Sequence, residues 1–302
     1  MNPLPVAIIG GGPAGMAAAM QLHRMGVEAA LFERAALGGL MIQANWIENY
    51  PGFPSGITGA DLALRFRDGL AHCAFEVRKE DVQSLDFDNE QDVFSIRSSG
   101  GCFSSERVIV ASGTKPKRLP LFDGLPQELR LRIFDDVTKI PVEENGRIII
   151  LGAGDIALDY ALSLSATLGR EVVVLCRGDR SRALTILQDK ARRNPSISLR
   201  FQSEPDRVDL GPQGKIRLSG KRGEEPFSLD ADFVLVSVGR EPGKDFYSSR
   251  LQTLEKELIA SDRLFLAGDV KNGLRRQIGI AVGDGLTAAM AAAEARAPRV
   301  SR

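Results

Sequence analysis

The sequence has few of the residues on which disulfide frameworks, metal sites and proton relays depend. Its three cysteines are far apart and odd in number, which predicts neither a disulfide scaffold nor a zinc site. Free thiols in a reducing cytoplasm fit this pattern better. Two histidines are too few and too scattered for a proton relay. The cysteines are Cys73, Cys102 and Cys176, and the histidines are His23 and His72.

Net charge and long apolar runs are also lacking. The 39 basic and 39 acidic side chains cancel, so no overall field would draw the chain to nucleic acid or to an anionic membrane. The opening stretch MNPLPVAIIGGG enters a strand and a glycine turn without a leader peptide, and no segment is apolar enough to suggest a membrane span. We therefore expect a cytoplasmic protein with no nucleic acid, membrane or metal partner.

What is present is the composition of a globular protein of ordinary size. Hydrophobic residues make up 43% of the 302 residues and charged residues make up 26%. A chain of this length can form two domains, each with its own core.

A dinucleotide-binding pattern opens the chain at residues 5–34, PVAIIGGGPAGMAAAMQLHRMGVEAALFER. It reads as strand, glycine turn, helix and strand. Gly10 permits the tight turn, Gly12 lets the backbone approach a pyrophosphate, and Gly15 lets helix and strand pack closely. Backbone N–H groups at the helix start can then hold the phosphates. Glu33 ends the second strand, where a carboxylate can accept hydrogen bonds from both ribose hydroxyls.

The same pattern recurs at residues 147–183, RIIILGAGDIALDYALSLSATLGREVVVLCRGDRSRA. Gly152 and Gly154 match the first two glycines, and Ala157 takes the third place, where a small residue still allows close packing. An internal repeat of this kind predicts a second dinucleotide site.

The two copies differ at the end of the second strand. Alignment puts Cys176 opposite Glu33 and Arg177 opposite Arg34, so the second copy has no ribose-binding acid. Without that carboxylate a 2′-phosphate is not repelled, and Arg177 and Arg182 could bind it by charge-assisted hydrogen bonds. This favours NADPH over NADH in the second site. The alternative is that Arg180 and its neighbours form a solvated loop and that Asp179 contacts the ribose, which would allow NADH to bind.

Hairpin patterns follow each copy and indicate an antiparallel layer in each half. The stretches VFSIRSSGGCFSSERVIVASGT and IRLSGKRGEEPFSLDADFVLVSVGREP both return to a strand that ends in a glycine turn. KPKRLPLFDGLP and REPGKD read as crossovers between domains. In the last segment, Gly268 and Asp269 follow an apolar strand and suit close approach to a ligand. A long helix is predicted to begin near Gln277, with its positive end available to a developing negative charge.

At this point the sequence resembles the low-molecular-weight thioredoxin reductase family of flavoproteins. The motifs run in family order across essentially the whole chain. They are GGGPAG at 10–15, GG at 38–39, IENYPGFP at 47–54, ASGT at 111–114, GAGDIA at 152–157, LFLAGDV at 264–270 and RRQIGIAVGDGLTAA at 275–289.

The resemblance implies an α/β fold of two Rossmann-like, three-layer ββα dinucleotide-binding domains, the second inserted in the first. An FAD domain would comprise residues 1–117 and 244–302, and an NADPH domain residues 118–243. It further implies that Gly39 and Asn49 lie near the flavin, that Asp269 binds the ribityl chain, and that Arg276, Gln277 and Ile278 line the pyrimidine edge. The full set of predicted cofactor-binding residues is Gly10, Gly12, Pro13, Ala14, Gly15, Glu33, Arg34, Gly39, Leu40, Asn49, Gly113, Gly268, Asp269, Arg276, Gln277 and Ile278 for FAD, with Gly152, Gly154, Asp155, Ile156, Arg177, Arg182 and Gly239 for NADPH.

The redox Cys-x-x-Cys of the family is missing. In the family its second cysteine falls fourteen residues before the first glycine of the second motif. Counting back from Gly152 gives Thr138, so Asp135 and Thr138 occupy the two cysteine positions. Disulfide exchange needs an attacking thiolate and a resolving thiol. We therefore expect an FAD-dependent oxidoreductase that is not a thioredoxin reductase in the strict sense. The flavin would carry the chemistry, and we predict no catalytic amino-acid residue.

Three interpretations of the acceptor remain open. The first is a small electron-carrier protein, as in the ferredoxin or flavodoxin reductases of the same fold. The second is a small molecule, such as a quinone or a low-molecular-weight disulfide, and the third is a flavin-binding subunit without turnover. Five basic residues near the first crossover mildly favour an acidic carrier, with a solvated linker as the alternative. A homodimer is implied by the resemblance alone. The basic residues are Lys115, Lys117, Arg118, Arg130 and Arg132.

Overall fold

A computed structural model describes residues 3–141, 146–168 and 170–296. The chain divides into two compact units. Unit 1 comprises residues 1–42, 47–115 and 241–302, and unit 2 comprises residues 43–46 and 116–240. In the described residues, no helix combines the length and the apolar character that crossing a membrane requires.

The secondary structure alternates as the two glycine motifs predict. The strands are β1 Val6–Ile9, β2 Ala29–Phe32, β3 Glu76–Arg78, β4 Val82–Asp88, β5 Val93–Ser98, β6 Gly101–Ser105, β7 Val108–Val110, β8 Thr114–Pro116, β9 Ile133–Phe134, β10 Arg147–Leu151, β11 Glu171–Leu175, β12 Ile197–Arg200, β13 Ser203–Leu210, β14 Ile216–Arg222, β15 Glu225–Ala231, β16 Phe233–Val236, β17 Arg240–Pro242 and β18 Leu264–Leu266. The helices are α1 Pro13–Arg24, α2 Gly59–His72, α3 Gln127–Arg130, α4 Asp155–Leu168, α5 Thr185–Arg193, α6 Ser249–Ala260 and α7 Ile278–Glu294.

Unit 1 is built on a parallel sheet of order β18-β7-β1-β2-β3. The four residues of β1 and the four of β2 are all buried, as expected for parallel strands covered on both faces. Helices α1 and α7 pack together on this sheet. The antiparallel sheet β4-β5-β6 contributes Leu85, Phe94 and Ile96 to the same core as Phe32 and Val110.

Unit 2 repeats this arrangement with the parallel order β12-β11-β10-β16-β9. Alternate residues of β10 face opposite layers because side chains alternate along a strand. Ile148 and Ile150 pack with Leu158 of α4. Ile149 packs with Leu218 of the antiparallel sheet β13-β14-β15. The predicted α/β fold with two Rossmann-like, three-layer units is therefore confirmed.

Candidate functional site

Of the three motif glycines at the first turn, Gly10 and Gly15 are crowded and Gly12 is open. Gly10 has φ +107°, and a Cβ there would lie 2.4 Å from the carbonyl oxygen of Ala111. A Cβ on Gly15 would lie 1.8 Å from the carbonyl oxygen of Gly10. Gly12 differs, because no heavy atom lies within 4 Å of its Cβ position. Since Gly12 immediately precedes α1, this leaves an uncovered backbone at a helix start, which fits a pyrophosphate.

Glu33 is fixed beside this turn by backbone groups. Its carboxylate accepts the N–H of Gly11 at 2.6 Å and the N–H of Ala35 at 2.8 Å. Each carboxylate oxygen keeps a further lone pair with which to accept a ribose hydroxyl. The side chain of Arg34, the next residue, is exposed. The open backbone at Gly12 and the hydrogen-bond-accepting carboxylate of Glu33 therefore fit the ADP half of FAD.

The segment after β2 returns to the same turn. The N–H of Gly38 donates to the carbonyl oxygen of Gly11 at 2.8 Å. A Cβ on Gly39 would lie 3.1 Å from the α-carbon of Gly12, so Gly39 and its neighbour Leu40 lie next to the open glycine. Further on, burial raises the pKa of Tyr50, whose ring packs near Phe53 and Phe66.

Two residues for which only resemblance gave a flavin role are hydrogen-bonded to each other. The side-chain amide of Asn49 donates to the side-chain oxygen of Gln277 at 2.8 Å, across 228 positions of sequence. Gln277 is the N-cap of α7, and both side chains are exposed. Ile278 begins the helix and Arg276 precedes the cap, so the N-terminus of α7 lies beside Asn49.

The turn after β18 is held by a residue that sequence reasoning missed. Gly268 has φ +77°, and a Cβ there would lie 3.0 Å from that of Ala14. The Asp284 carboxylate accepts the Gly268 N–H at 3.1 Å and the Asn272 amide at 2.5 Å, and pairs with Lys271 at 2.9 Å. Asp269 lies half-buried in this turn.

A signal for Asp284 was present in the sequence. It is the only charged residue from position 278 to position 293 of an otherwise apolar, Ala-rich helix. Such a charge is expected to face a polar partner rather than the core. Its neighbour Gly285 has the α1 backbone close by, because a Cβ there would lie 2.1 Å from the carbonyl oxygen of Ala14.

The second glycine turn has the same geometry as the first. Gly152 has φ +108°, and a Cβ there would lie 2.2 Å from the carbonyl oxygen of Ser237. No heavy atom lies within 4 Å of the Cβ position of Gly154. The first turn of α4 carries Asp155 and the exposed Ile156, and the Asp155 carboxylate accepts the Leu184 N–H at 2.7 Å.

Backbone hydrogen bonds put Cys176 and Glu33 in equivalent places. The N–H of Glu33 donates to the carbonyl oxygen of Arg78 at 2.9 Å, and the N–H of Cys176 donates to that of Arg200 at 2.8 Å. Each bond joins the residue after the second strand to the next strand of its sheet. The second unit therefore has a buried thiol where the first has a carboxylate.

The arginine-bearing loop lies against the second glycine turn. The N–H of Arg182 donates to the carbonyl oxygen of Ala153 at 3.2 Å, while its side chain is exposed. Arg177 is also exposed and lies 3.8 Å from the Glu204 carboxylate, a weak surface ion pair. Two further glycines with positive φ come after β7 and β16, Gly113 at φ +64° and Gly239 at φ +113°.

The positions predicted for the missing cysteines lie just after β9. Asp135 is exposed. Thr138 donates its backbone N–H and its hydroxyl to the Asp136 carboxylate, at 2.9 Å and 2.7 Å. The three cysteines are unpaired and lie at the end of α2, in β6 and at the end of β11.

The five basic residues near the first crossover do not form an unpaired rim. Lys115 pairs with Asp245 at 2.5 Å and with Glu241 at 3.3 Å. Arg118 pairs with Asp123 at 2.9 Å. Arg132 donates to a backbone carbonyl at 3.3 Å, while Lys117 and Arg130 are exposed.

Within unit 2, the first half of α4 carries two titratable groups that are withdrawn from solvent, the half-buried Asp159 and the buried Tyr160. The Asp159 carboxylate accepts the N–H of Asn45 at 2.8 Å. Burial raises the pKa of Asp159, although that N–H and Lys190 act in the opposite direction. Burial also raises the pKa of Tyr160, whose hydroxyl donates to the side chain of Gln43.

Comparisons with known proteins agree in one family. The model of the pyridine nucleotide-disulphide oxidoreductases matches residues 4–293. A thioredoxin reductase of Borreliella burgdorferi is 27% identical over 94% of this chain and 90% of its own. NADPH-dependent thioredoxin reductase 3 of Arabidopsis thaliana is 30% identical over 95% of this chain, which spans 57% of that protein.

Solved structures give the same result. The structure of Lactococcus lactis thioredoxin reductase superposes with a TM-score of 0.83 at 28% identity, covering 96% of this chain and 98% of that one. A bacillithiol disulfide reductase of Staphylococcus aureus shares the fold, with a TM-score of 0.76 at 16% identity over 98% of this chain and 100% of that one.

Proposed function

The chain belongs to the pyridine nucleotide-disulphide oxidoreductase family, and from this premise we propose that it is a reductase that passes reducing equivalents from NADPH through FAD to an external acceptor, without an internal redox disulfide. Membership confirms the broader prediction of an FAD-dependent oxidoreductase that uses FAD and NADPH. The direct transfer and the identity of the acceptor are the proposal.

We assign FAD to unit 1 and NADPH to unit 2. In unit 1, the open backbone at Gly12 and the fixed carboxylate of Glu33 are suited to the ADP half of FAD. The N-terminus of α7, beside Asn49, offers a positive helix end to negative charge on the flavin. When bound, FAD supplies the chemistry that accepts hydride and releases electrons. In unit 2, Gly154 offers the same kind of open turn to the NADPH diphosphate.

The observation that carries the proposal is the absence of a thiol pair from the 302 residues. Reduction of a substrate disulfide by an internal dithiol needs two cysteine thiols in reach of each other. The two equivalent positions hold Asp135 and Thr138, and the Thr138 hydroxyl is hydrogen-bonded to Asp136. None of the three cysteines has a second cysteine three positions away, which is the Cys-x-x-Cys spacing.

A small molecule is the first acceptor to test. The ion pairs of Lys115 and Arg118 remove much of the unpaired positive charge that favoured an acidic carrier protein. A quinone can take electrons without a protein thiol, and a low-molecular-weight disulfide is the other candidate of this class. Ferredoxin and flavodoxin remain the comparison set.

The experiment has two stages. The purified holoprotein is first titrated anaerobically with NADPH while the visible flavin absorbance is followed, and prompt stoichiometric bleaching is expected. The reduced protein is then mixed with a quinone, a low-molecular-weight disulfide, ferredoxin or flavodoxin, and reoxidation is timed. Gly154→Ala is the comparison variant. Because the change lies in unit 2, the protein should still bind FAD, but NADPH should bleach the flavin more slowly.

Each stage can contradict a separate part of the proposal. A flavin that stays oxidised in excess NADPH would show that unit 2 does not deliver electrons. Fast reoxidation by ferredoxin or flavodoxin with none by small molecules would replace the proposed acceptor class with a carrier protein.

A further inference from the structure

The loop between β11 and α5 is tied to the second glycine turn at several points. The Ser181 hydroxyl donates to the carbonyl oxygen of Ala153 at 2.6 Å and accepts the N–H of Ala183 at 3.1 Å. The N–H of Arg182 reaches the same Ala153 oxygen at 3.2 Å. The Leu184 N–H donates to Asp155 at 2.7 Å, so the loop is fixed on both sides of Arg182.

Ser181 is the buried member of this stretch. It is 8% exposed, whereas the side chains of Arg180 and Arg182 on either side are exposed. Within the part of the chain that the structure describes, no ion pair engages either guanidinium. A buried hydroxyl that both donates and accepts, placed between two exposed cations, fixes the direction in which the cations leave the backbone.

The first unit is tied in a different way. There the N–H of Gly38 donates to the carbonyl oxygen of Gly11 at 2.8 Å, and the side chain that reaches the turn is the Glu33 carboxylate, which accepts the Gly11 N–H at 2.6 Å. Unit 1 recognises its ribose with the carboxylate of Glu33, which is itself held by backbone N–H groups. Unit 2 has a thiol at that position, so recognition there depends on the loop that follows.

We propose that Ser181 is a positioning residue for nucleotide selectivity, holding the loop against the glycine turn so that Arg182 meets the 2′-phosphate of NADPH. This inference rests on the proposed use of NADPH by unit 2. It predicts an effect confined to ligands with a 2′-phosphate, because a ligand without that group makes no contact that depends on Arg182.

Calorimetry on the holoprotein isolates the 2′-phosphate. Adenosine 2′,5′-bisphosphate and 5′-AMP serve as probes, because they differ only in that group. Ser181→Ala should weaken binding of the bisphosphate about tenfold, which corresponds to ~1.4 kcal/mol, and leave 5′-AMP unchanged. Ser181→Thr, which retains a hydroxyl, should restore most of the affinity.

A double-mutant cycle tests whether Ser181 acts through Arg182. If it does, Ser181→Ala combined with Arg182→Ala should bind the bisphosphate no more weakly than Arg182→Ala alone. Ser165→Ala is the matched control, because it also removes a buried serine hydroxyl of unit 2 that donates to a backbone carbonyl. It should leave both probes unaffected.

The outcomes separate this inference from the proposed function. If the wild-type protein binds both probes equally, use of NADPH by this site is wrong and the inference falls with it. Suppose instead that the wild type binds the bisphosphate more tightly than 5′-AMP, that Arg182→Ala abolishes this preference and that Ser181→Ala retains it. In that case only the role of Ser181 is refuted. Should Ser181→Ala fail to fold, Asp155→Ala removes the exposed tie to Leu184, and an unchanged ratio between the probes would equally refute loop positioning.

Discussion

Replacing Gly12 with alanine should separate cofactor binding from folding in unit 1. Gly12 has φ −75° and ψ −174°, an extended conformation open to any residue, and a Cβ there meets nothing within 4 Å. The protein without cofactor should therefore tolerate the change. Alanine also restricts the unfolded chain, so stability without FAD should rise by ~0.4–1 kcal/mol.

The added methyl group lies where the pyrophosphate is expected. Inserting a methyl group into a packed contact costs ~1–3 kcal/mol. The affinity for FAD should therefore fall roughly 5- to 150-fold. Gly15→Ala is the contrasting change, because its Cβ would overlap the Gly10 carbonyl oxygen at 1.8 Å. That overlap forces α1 away from the turn whether or not FAD is present.

The assay compares three proteins in two states. FAD content on purification and FAD affinity after removal and readdition measure binding, and thermal unfolding of the FAD-free proteins measures the fold. Gly12→Ala should lose affinity for FAD while its FAD-free form melts at a slightly higher temperature, whereas Gly15→Ala should lose both affinity and thermal stability. Unchanged FAD affinity in Gly12→Ala would refute the placement of the pyrophosphate at this turn.

Two further substitutions test half-buried carboxylates, one in each unit. Asp284→Asn keeps the shape of the side chain but removes the negative charge that contacts Lys271 and the Gly268 N–H. The free energy of unfolding should therefore fall by ~1.5 kcal/mol, and FAD should dissociate faster. Differential scanning calorimetry measures the first effect and the rate of flavin release measures the second. The raised pKa of Asp159 means that its neutral form stabilises the folded state at low pH and that this contribution is lost as pH rises through the folded-state pKa. Asp159→Asn should therefore be more stable than the wild type at neutral pH and nearly equal to it in acid, and equal melting temperatures at neutral pH would contradict burial as the cause.

The glycine turns could be predicted from sequence because their requirements are local. Gly10 and Gly152 need a backbone that only glycine adopts readily, and both precede a helix at fixed spacing. The alignment of Cys176 with Glu33 followed from the same spacing, and equivalent backbone bonds support it.

Contacts between residues distant in sequence could not be predicted in this way. The ion pair of Lys115 with Asp245 joins positions 130 apart. The basic residues could therefore be seen in the sequence, but the acidic side chain that neutralises Lys115 could not be assigned to it. Ser181 illustrates the same limit on a smaller scale. Its hydrogen-bond partner is the backbone carbonyl of Ala153, 28 positions earlier. Every residue has a backbone carbonyl, so the sequence does not indicate which one will accept a hydrogen bond from a distant side chain.

The insertion of unit 2 sets an order of events during synthesis. In unit 1, β7 pairs with β18 and α1 packs on α7, so a sheet begun at the N-terminus is completed only by the last sixty or so residues, on the order of a fifth of the chain. Apart from residues 43–46, unit 2 is contiguous from 116 to 240, so all of it has been synthesised before the last segment of unit 1. The turn at Gly268 and the start of α7 emerge after it. We therefore expect unit 2 to fold while the chain is still growing, and FAD, which we assign to unit 1, to bind only after the last segment has been made.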